Sequence, residues 1–259
     1  MKKTITRADY SGFCFGVKRA LEKTNEAIAA RKENEKIYTK GPLIHNKAVT
    51  DELESRGVGI IDSLDDIGSN ATVIVRSHGE PESFYKEAEA KGVRLIDATC
   101  PFVEKIHTLV KKAHDDGYTI VIAGDRNHPE VTGTNGWCGN SAVVAETAQE
   151  AAEITSDKVF VVAQTTVTEE IFDEVCRNIK AAECVTQNTI CSATKNRQDS
   201  CIELAKKSDI MVIIGSKNSS NTQKLYSVSK KHCIKTYFVE NIEDLPLKQI
   251  EKCNKIGIT

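Results

Sequence analysis

Three cysteines in this chain share one local setting, a position directly before a predicted amphipathic helix. Cys100 follows an apolar run and precedes Pro101, a residue that suits the first turn of a helix because its missing N–H is not needed there. Cys14 and Cys191 also precede apolar residues that recur at helical spacing. The positive end of the helix dipole and its free N–H groups favour a thiolate, which ligates iron or zinc or attacks carbon.

One cysteine in such a setting is more often a small buried hydrophobic residue, but three in the same setting favour a shared chemical role. Structural zinc sites and electron-transfer clusters usually have four protein ligands. A cubane iron–sulfur cluster held by three cysteines leaves one iron open to substrate, and zinc with an open position is the alternative. The remaining cysteines are not expected to be ligands; Cys176, Cys201, Cys233 and Cys253 fit helices, and Cys138 and Cys184 fit turns or strand edges.

The elements that must position these cysteines follow a βα alternation. Short apolar runs alternate with helical patterns along the chain, including a helix predicted near residues 168–181, and this predicts an α/β fold with mostly parallel strands. Polar loops follow four predicted buried strands, at residues 76–79, 124–130, 164–166 and 215–222. Because ligands of open α/β sheets bind outside the carboxyl ends of the strands, we expect these loops and the three cysteines to line one central cavity.

Three histidines lie in predicted loops: His45, His78 and His128. A lone loop histidine is usually solvated, but three that converge can neutralise and hydrogen-bond an anionic ligand. Glu130, two residues from His128, is the candidate proton donor if partial burial raises its pKa, although it could equally cap a helix or form an ion pair. The other histidines, His107, His114 and His232, fit helices and are interpreted as structural.

Residues 215–222 form the best candidate for an anion-binding loop. Glycine, hydroxyls and amides between a strand and a helix present N–H and O–H donors to phosphate oxygens. The loop lacks the Walker A pattern, and no G-x-G-x-x-G follows a strand, so a dinucleotide cofactor is not indicated. The alternative is an ordinary N-capping turn with Ser220, Asn221 or Thr222 as the cap.

Composition narrows the class of protein. The chain has 259 residues, of which 40% are hydrophobic and 28% charged, as in an ordinary globular protein. A net charge of −2 argues against general nucleic-acid binding, and no apolar stretch reaches membrane-spanning length. The first residues predict a strand rather than a signal peptide, so we expect a cytoplasmic protein, in which nine cysteines indicate metal or redox use rather than disulfides.

Several short motifs in order resemble the family of 4-hydroxy-3-methylbut-2-enyl diphosphate reductases, the last enzymes of the methylerythritol phosphate route to isoprenoids. The resemblance spans nearly the whole chain and is specific because the motifs occur together. They are residues 12–17, 44–46, 77–79, 97–101, 128–131, 164–166, 190–194, 196–198 and 215–221.

The resemblance implies a trefoil of three similar α/β domains with mostly parallel sheets around a central iron–sulfur cluster. The domains would span residues 14–98, 99–189 and 190–259, joined by an N-terminal strand within residues 1–13. A [4Fe-4S] cluster with one open iron would be bound by Cys14, Cys100 and Cys191.

The resemblance also implies the reaction and the remaining site residues. Two electrons from a ferredoxin or flavodoxin would remove the substrate hydroxyl as water, and Glu130 would deliver the proton that gives isopentenyl or dimethylallyl diphosphate. We expect a monomer without nucleic-acid or membrane partners. The implied substrate-binding residues are His45, His78, His128, Thr165, Ser219, Ser220 and Asn221.

The sequence departs from the family pattern at residues 255–259, where the family continues through a loop with another diphosphate-contacting serine and a final helix. Two alternatives are open: the sequence is truncated, or the native chain runs on, as in members of the family that are fused to ribosomal S1-like RNA-binding modules. Without the tail, we expect diphosphate binding to be weaker. Two other functional classes are open: a hydro-lyase that uses the open iron without net electron transfer, and a non-enzymatic iron–sulfur redox sensor.

Overall fold

A computed structural model describes residues 3–68 and 70–259 of the chain. Within these residues the strands are β1 (Thr4–Arg7), β2 (Lys36–Lys40), β3 (Val58–Ile61), β4 (Ala71–Val75), β5 (Arg94–Asp97), β6 (Thr119–Ala123), β7 (Val143–Ala145), β8 (Thr155–Ala163), β9 (Lys180–Gln187), β10 (Ile210–Ile214), β11 (Thr236–Val239) and β12 (Lys255–Ile258). The α-helices are α1 (Phe15–Ala29), α2 (Lys47–Ser55), α3 (Glu82–Ala90), α4 (Pro101–Asp115), α5 (Pro129–Asn135), α6 (Ala148–Ala152), α7 (Glu169–Asn178), α8 (Ser192–Ala205), α9 (Ser220–His232) and α10 (Leu247–Ile250).

The strands form three four-stranded sheets, and all of their pairings are parallel in the described part of the chain. The strand orders are β3-β2-β4-β5, β7-β6-β8-β9 and β11-β10-β12-β1. The three orders are the same topology, except that the third sheet takes its fourth strand from the beginning of the chain. The predicted α/β class with parallel sheets is therefore confirmed.

The central strands are apolar because residues on both of their faces are buried. Val73, Ile74 and Val75 of β4 are fully buried, and the apolar residues of β6, of β8 and of β10 up to Ile213 form comparable cores. Helices α1, α4 and α8 each pack an apolar face against strands of the sheet that follows in the chain. The three cysteines that precede these helices are thus attached to rigid elements.

The chain divides into two compact units. Unit A consists of the residues up to Cys14, Thr166–Thr168 and Ile190–Thr259, and unit B consists of Phe15–Thr165 and Glu169–Thr189. Unit A contains the sheet of β1, β10, β11 and β12, and unit B contains the other two sheets. The domain boundaries at residues 14–98, 99–189 and 190–259 stay a prediction.

The prediction of a helix near residues 168–181 is wrong at the carboxyl end of the helix. It stops at Asn178, and β9 begins at Lys180. This strand lies at the edge of its sheet, where most side chains face solvent, so a polar sequence forms a strand that apolar alternation does not reveal. Cys184, which was expected in a turn or at a strand edge, lies on this strand.

Two of the cysteines assigned to helices lie outside them. Cys233 is the C-cap residue of α9, and Cys253 lies in the turn between α10 and β12. The short β12, which this turn precedes, was not predicted because four residues carry little periodicity. Across the described residues, no helix has both the length and the apolar composition needed to cross a bilayer.

Candidate functional site

Three histidines of unit B lie side by side at the carboxyl ends of the strands. His45 follows β2, His78 follows β4, and His128 is the N-cap residue of α5, which follows β6. Their ring centroids are 4.9 Å apart for His45 and His78, 5.2 Å for His78 and His128, and 5.8 Å for His45 and His128. One ring nitrogen of each lies within 4.8 Å of the others. The structure therefore brings together the three histidines as the sequence predicts, and we call them the histidine triad.

The histidine triad is electrically neutral at neutral pH. Burial is the main cause that lowers the pKa of each imidazole, to about 4 for His128 and well below the ordinary value for His78. The positive charge of Arg76 lowers the pKa of all three histidines further. The triad thus supplies hydrogen bonds rather than the positive charge that the sequence led us to expect.

The hydrogen bonds of the triad leave donors and acceptors for a ligand. The backbone N–H of Glu130 donates to Nδ1 of His128 at 3.1 Å, which places the proton of the neutral ring on Nε2. Nε2 of His45 and Nδ1 of His78 are buried and have no hydrogen-bond partner among the described residues. Buried polar atoms without partners are costly, so these ring nitrogens are suited to a polar ligand.

Glu130, two residues after His128 in the chain, forms a buried pair with Thr165. The side chains are 3% and 6% exposed, which puts the carboxyl group almost out of contact with water. The backbone N–H of Thr165 donates to Oε1 of Glu130 at 2.6 Å, and Oγ1 donates to Oε2 at 2.6 Å. Burial raises the pKa of Glu130 more than these two bonds lower it. A carboxyl group with a raised pKa can act as a proton donor near neutral pH.

A partly buried ion pair lies beside the triad, and it was not predicted from the sequence. Nε of Arg76 donates to Oε1 of Glu80 at 2.8 Å, and the side chains are 16% and 6% exposed. A signal was present, since Arg76 and Glu80 flank the Ser-His-Gly motif four residues apart. Three neutral imidazoles can ligate a divalent metal, but a neighbouring guanidinium opposes a cation and favours an anion.

Cys100 is fixed beside the loop that carries His78, also in unit B. It is the N-cap residue of α4, and its backbone N–H donates to the carbonyl of Ser77 at 3.0 Å. The carbonyl of the preceding residue, Thr99, accepts a hydrogen bond from Nη1 of Arg19 at 2.6 Å, and its N–H donates to Oδ1 of Asp97 at 2.8 Å. These bonds hold the backbone at the start of α4, where Cys100 is partly exposed.

Cys14 and Cys191 belong to unit A, where the segment before Cys14 is bound to α8. The N–H of Asp9 donates to Oγ of Ser200 at 3.0 Å, and Arg197 donates to the carbonyl of Gly12. Cys191 is the N-cap residue of α8, and its sulfur accepts the backbone N–H of Thr194 at 3.4 Å. The sulfur of Cys191 therefore lies at the N-terminus of α8, the setting that the sequence pattern predicts.

The hydroxyl-rich loop of unit A begins α9. Ser219 is the N-cap residue, since its Oγ accepts the N–H of Thr222 at 3.4 Å. The cap therefore lies one residue before Ser220, the first of the three candidates that the sequence offered. The hydroxyl of Ser220 is 2.8 Å from that of Thr166. Oδ1 of Asn221 is buried and has no hydrogen-bond partner in the described part of the chain. The loop therefore combines a helix N-terminus with an amide that a ligand could satisfy.

Comparisons with known proteins agree with the resemblance read from the motifs. A family model described as LytB protein matches residues 5–259. The 4-hydroxy-3-methylbut-2-enyl diphosphate reductase of Clostridium perfringens is 46% identical over 100% of this chain and 93% of its own length. The same enzyme of Clostridioides difficile is 43% identical over 98% of this chain and 92% of its own length. The solved structure of the E-1-hydroxy-2-methyl-but-2-enyl-4-diphosphate reductase from Plasmodium falciparum, 29% identical, superposes with a TM-score of 0.92 over 100% of this chain and 83% of that chain.

Proposed function

The chain belongs to the LytB protein family, and from this membership we propose that it is a 4-hydroxy-3-methylbut-2-enyl diphosphate reductase. The reaction takes up two electrons and two protons, breaks the carbon–oxygen bond of the terminal hydroxyl, and releases water with isopentenyl or dimethylallyl diphosphate. The observation that carries the proposal is the buried Glu130–Thr165 pair next to the neutral histidine triad. It combines a proton donor with a polar ligand site.

In this proposal the diphosphate is bound by hydrogen bonds from His45, His78 and His128. Neutral imidazoles act as single donors, and the tautomer of His128 is already set by its bond to the N–H of Glu130. Further donors come from the hydroxyl-rich loop, through Ser219, Ser220 and Asn221. The support for this assignment is the unpartnered buried atom of Asn221 and those of the triad.

Glu130 holds the proton that is transferred to the product, and Thr165 orients both Glu130 and the reacting end of the substrate. The protonated carboxyl can donate through Oε2 to the Thr165 hydroxyl, because that hydroxyl can either donate or accept. The backbone N–H of Thr165 keeps Oε1 in place. The carboxyl group thus stays oriented in both protonation states.

We propose that Cys14, Cys100 and Cys191 are the ligands of a [4Fe-4S] cluster with one open iron. All three lie directly before helices and are partly exposed, and the sulfur of Cys191 already accepts a backbone N–H, so these residues fit a thiolate-ligated group. When bound, the cluster supplies the electrons for the reduction. A small carrier of the ferredoxin or flavodoxin type would deliver those electrons to a monomeric cytoplasmic protein.

The test is anaerobic purification followed by iron and sulfide analysis and an assay with the allylic alcohol diphosphate. We expect a brown protein with about four irons that converts the substrate to the two isoprenoid diphosphates only when a reductant is present. Turnover without a reductant would instead identify a hydro-lyase. A colourless protein that keeps zinc after anaerobic reconstitution would overturn the proposal.

A further inference from the structure

Arg76 bridges the loops that carry two of the triad histidines. It is the first residue after β4, two residues before His78. Its guanidinium also lies against Gly41, in the segment after β2 that leads to His45. A Cβ atom on Gly41 would come within 2.8 Å of Nη1 of Arg76, and the φ angle of +64° at Gly41 is itself unfavourable for other residues. The backbone of Gly41 therefore makes room for the guanidinium beside the triad.

Glu80 keeps Arg76 in this position. Its carboxylate accepts the Nε–H bond at 2.8 Å, and its backbone carbonyl accepts the indole N–H of Trp137 at 3.0 Å. Trp137 belongs to the short 3₁₀ helix that directly follows α5. The Arg76–Glu80 pair is thus tied to all three segments that carry the triad, within unit B.

The charges around the triad are of both signs. Besides one another, the imidazoles face Arg76, and His128 also faces the carboxylate of Asp125. Glu80 faces two cations, Arg76 and Lys40. The charge that all three imidazoles experience is that of Arg76, which lowers the pKa of each of them.

We propose that Arg76 is the fixed positive charge of the diphosphate site, positioned by Glu80, and that it selects polyanionic ligands for the triad. The inference rests on the proposed function, in which the triad binds the diphosphate. Neutral imidazoles give directional hydrogen bonds, and a partly buried guanidinium adds a charge that water screens only weakly. This division of roles allows the site to bind its anion at a pH at which the histidines are deprotonated.

The experiment measures the affinity of the reconstituted holoprotein for inorganic pyrophosphate by anaerobic calorimetry between pH 4 and pH 8. We expect Arg76→Gln to weaken binding at pH 8 about 10-fold or more, since it removes a poorly screened charge. Arg76→Lys keeps the charge but loses the Nε–H donor to Glu80, so it is expected to bind more tightly than Arg76→Gln and less tightly than the native protein. The matched control is Arg94→Gln, which removes the same charge from an exposed arginine that pairs with Glu35 and is expected to leave binding unchanged.

The pH profile separates an electrostatic role from a structural one. Removing Arg76 raises the pKa of the three histidines, so the gain in affinity on acidification should begin at a higher pH in Arg76→Gln than in the native protein. A merely structural residue would leave that pH unchanged, and Arg76→Lys would then bind as weakly as Arg76→Gln. Either result would overturn the inference.

A second variant covers the case in which Arg76→Gln does not fold. Glu80→Gln keeps an oxygen acceptor for Nε of Arg76 and removes a negative charge, so we expect tighter pyrophosphate binding than in the native protein. Weaker binding would contradict the inference. If the native holoprotein bound Zn²⁺ at the triad and no pyrophosphate, the proposed diphosphate site itself would fail, whereas equal binding by native and Arg76→Gln proteins would remove this inference alone.

Discussion

At the scale of single residues, the site depends on a carboxyl group that is kept away from water. We expect Glu130→Gln to lower turnover at least 100-fold, because proton transfer by a positioned acid typically contributes about 10²–10⁴-fold to the rate. Pyrophosphate affinity should remain within about 3-fold, since the change adds no charge to the diphosphate site. Steady-state assays and calorimetry check both expectations, with Glu89→Gln at an exposed position as the control. Full turnover by Glu130→Gln would refute the assignment.

The raised pKa of Glu130 also links this residue to stability. A carboxyl group whose folded pKa lies above its unfolded pKa stabilises the folded state at low pH, and that contribution is lost as the pH rises through the folded pKa. The neutral Glu130→Gln side chain avoids this loss. We therefore expect its Tm to exceed that of the native protein by more at pH 8 than at pH 5. A Tm difference that does not depend on pH would show that Glu130 is ionised without cost.

Thr165 should set the pH at which Glu130 loses its proton. Its hydroxyl bond to Oε2 lowers the pKa of Glu130, so Thr165→Val is expected to raise that pKa. Because the proton donor works below its pKa, the alkaline fall in turnover should move to higher pH in Thr165→Val. Thr165→Ser keeps the hydroxyl and should retain the native position of this fall. The measurement is the pH dependence of kcat, and the quantity compared is the pH of the alkaline fall rather than the size of kcat. An alkaline fall at the native pH in Thr165→Val would contradict the expectation.

At the scale of elements, the site requires α5 to pack closely against the loop that carries His78. A Cβ atom on Gly133 of α5 would come within 3.1 Å of the carbonyl oxygen of Gly79. We expect Gly133→Ala to destabilise the fold by about 1–3 kcal/mol through this crowding, despite the better helix propensity of alanine, and to weaken pyrophosphate binding. Chemical denaturation and calorimetry test this. Gly68→Ala is the control, because nothing lies near its Cβ position.

Among the elements of the fold, most strands could be predicted from the sequence and two could not. The buried strands β4, β6, β8 and β10 were recognised because apolar runs followed by polar loops are strong signals. The edge strand β9 and the short β12 were missed, since an exposed edge places few constraints on side chains. Arg76 and Glu80 were missed for a different reason: a buried ion pair depends on packing against Gly41 and Trp137, which are distant in sequence.

The charge of the histidine triad is another property that could not be predicted from the sequence. Sequence order predicted that His45, His78 and His128 would meet, because each follows a strand of a parallel sheet. It did not predict that they are neutral, since the pKa of an imidazole depends on burial and on neighbouring charges. The role of the triad as a hydrogen-bonding rather than a charged surface therefore emerged only from the structure.

At the scale of the whole molecule, the chain repeats one arrangement three times. A cysteine directly before a helix precedes the strands of each sheet: Cys14 and α1 before β2, Cys100 and α4 before β6, and Cys191 and α8 before β10. The three sheets then have the same strand order. A repeat that preserves the cysteine while the surrounding residues differ is the expected outcome if each copy contributes one ligand to a shared group.

Cysteine-to-serine replacements test this ligand set one cysteine at a time. Replacement of Cys14, Cys100 or Cys191 by serine should each lower the iron content of the anaerobically reconstituted protein well below about four per chain and abolish turnover, because a hard hydroxyl replaces a soft thiolate. Cys138→Ser is the control: its thiol is buried, donates to the carbonyl of Asn135 at 3.2 Å and has a pKa raised by burial, so it is an unsuitable ligand. Loss of the cluster in Cys138→Ser, or a full cluster in any of the other three variants, would mean that the repeated cysteines are not the ligand set.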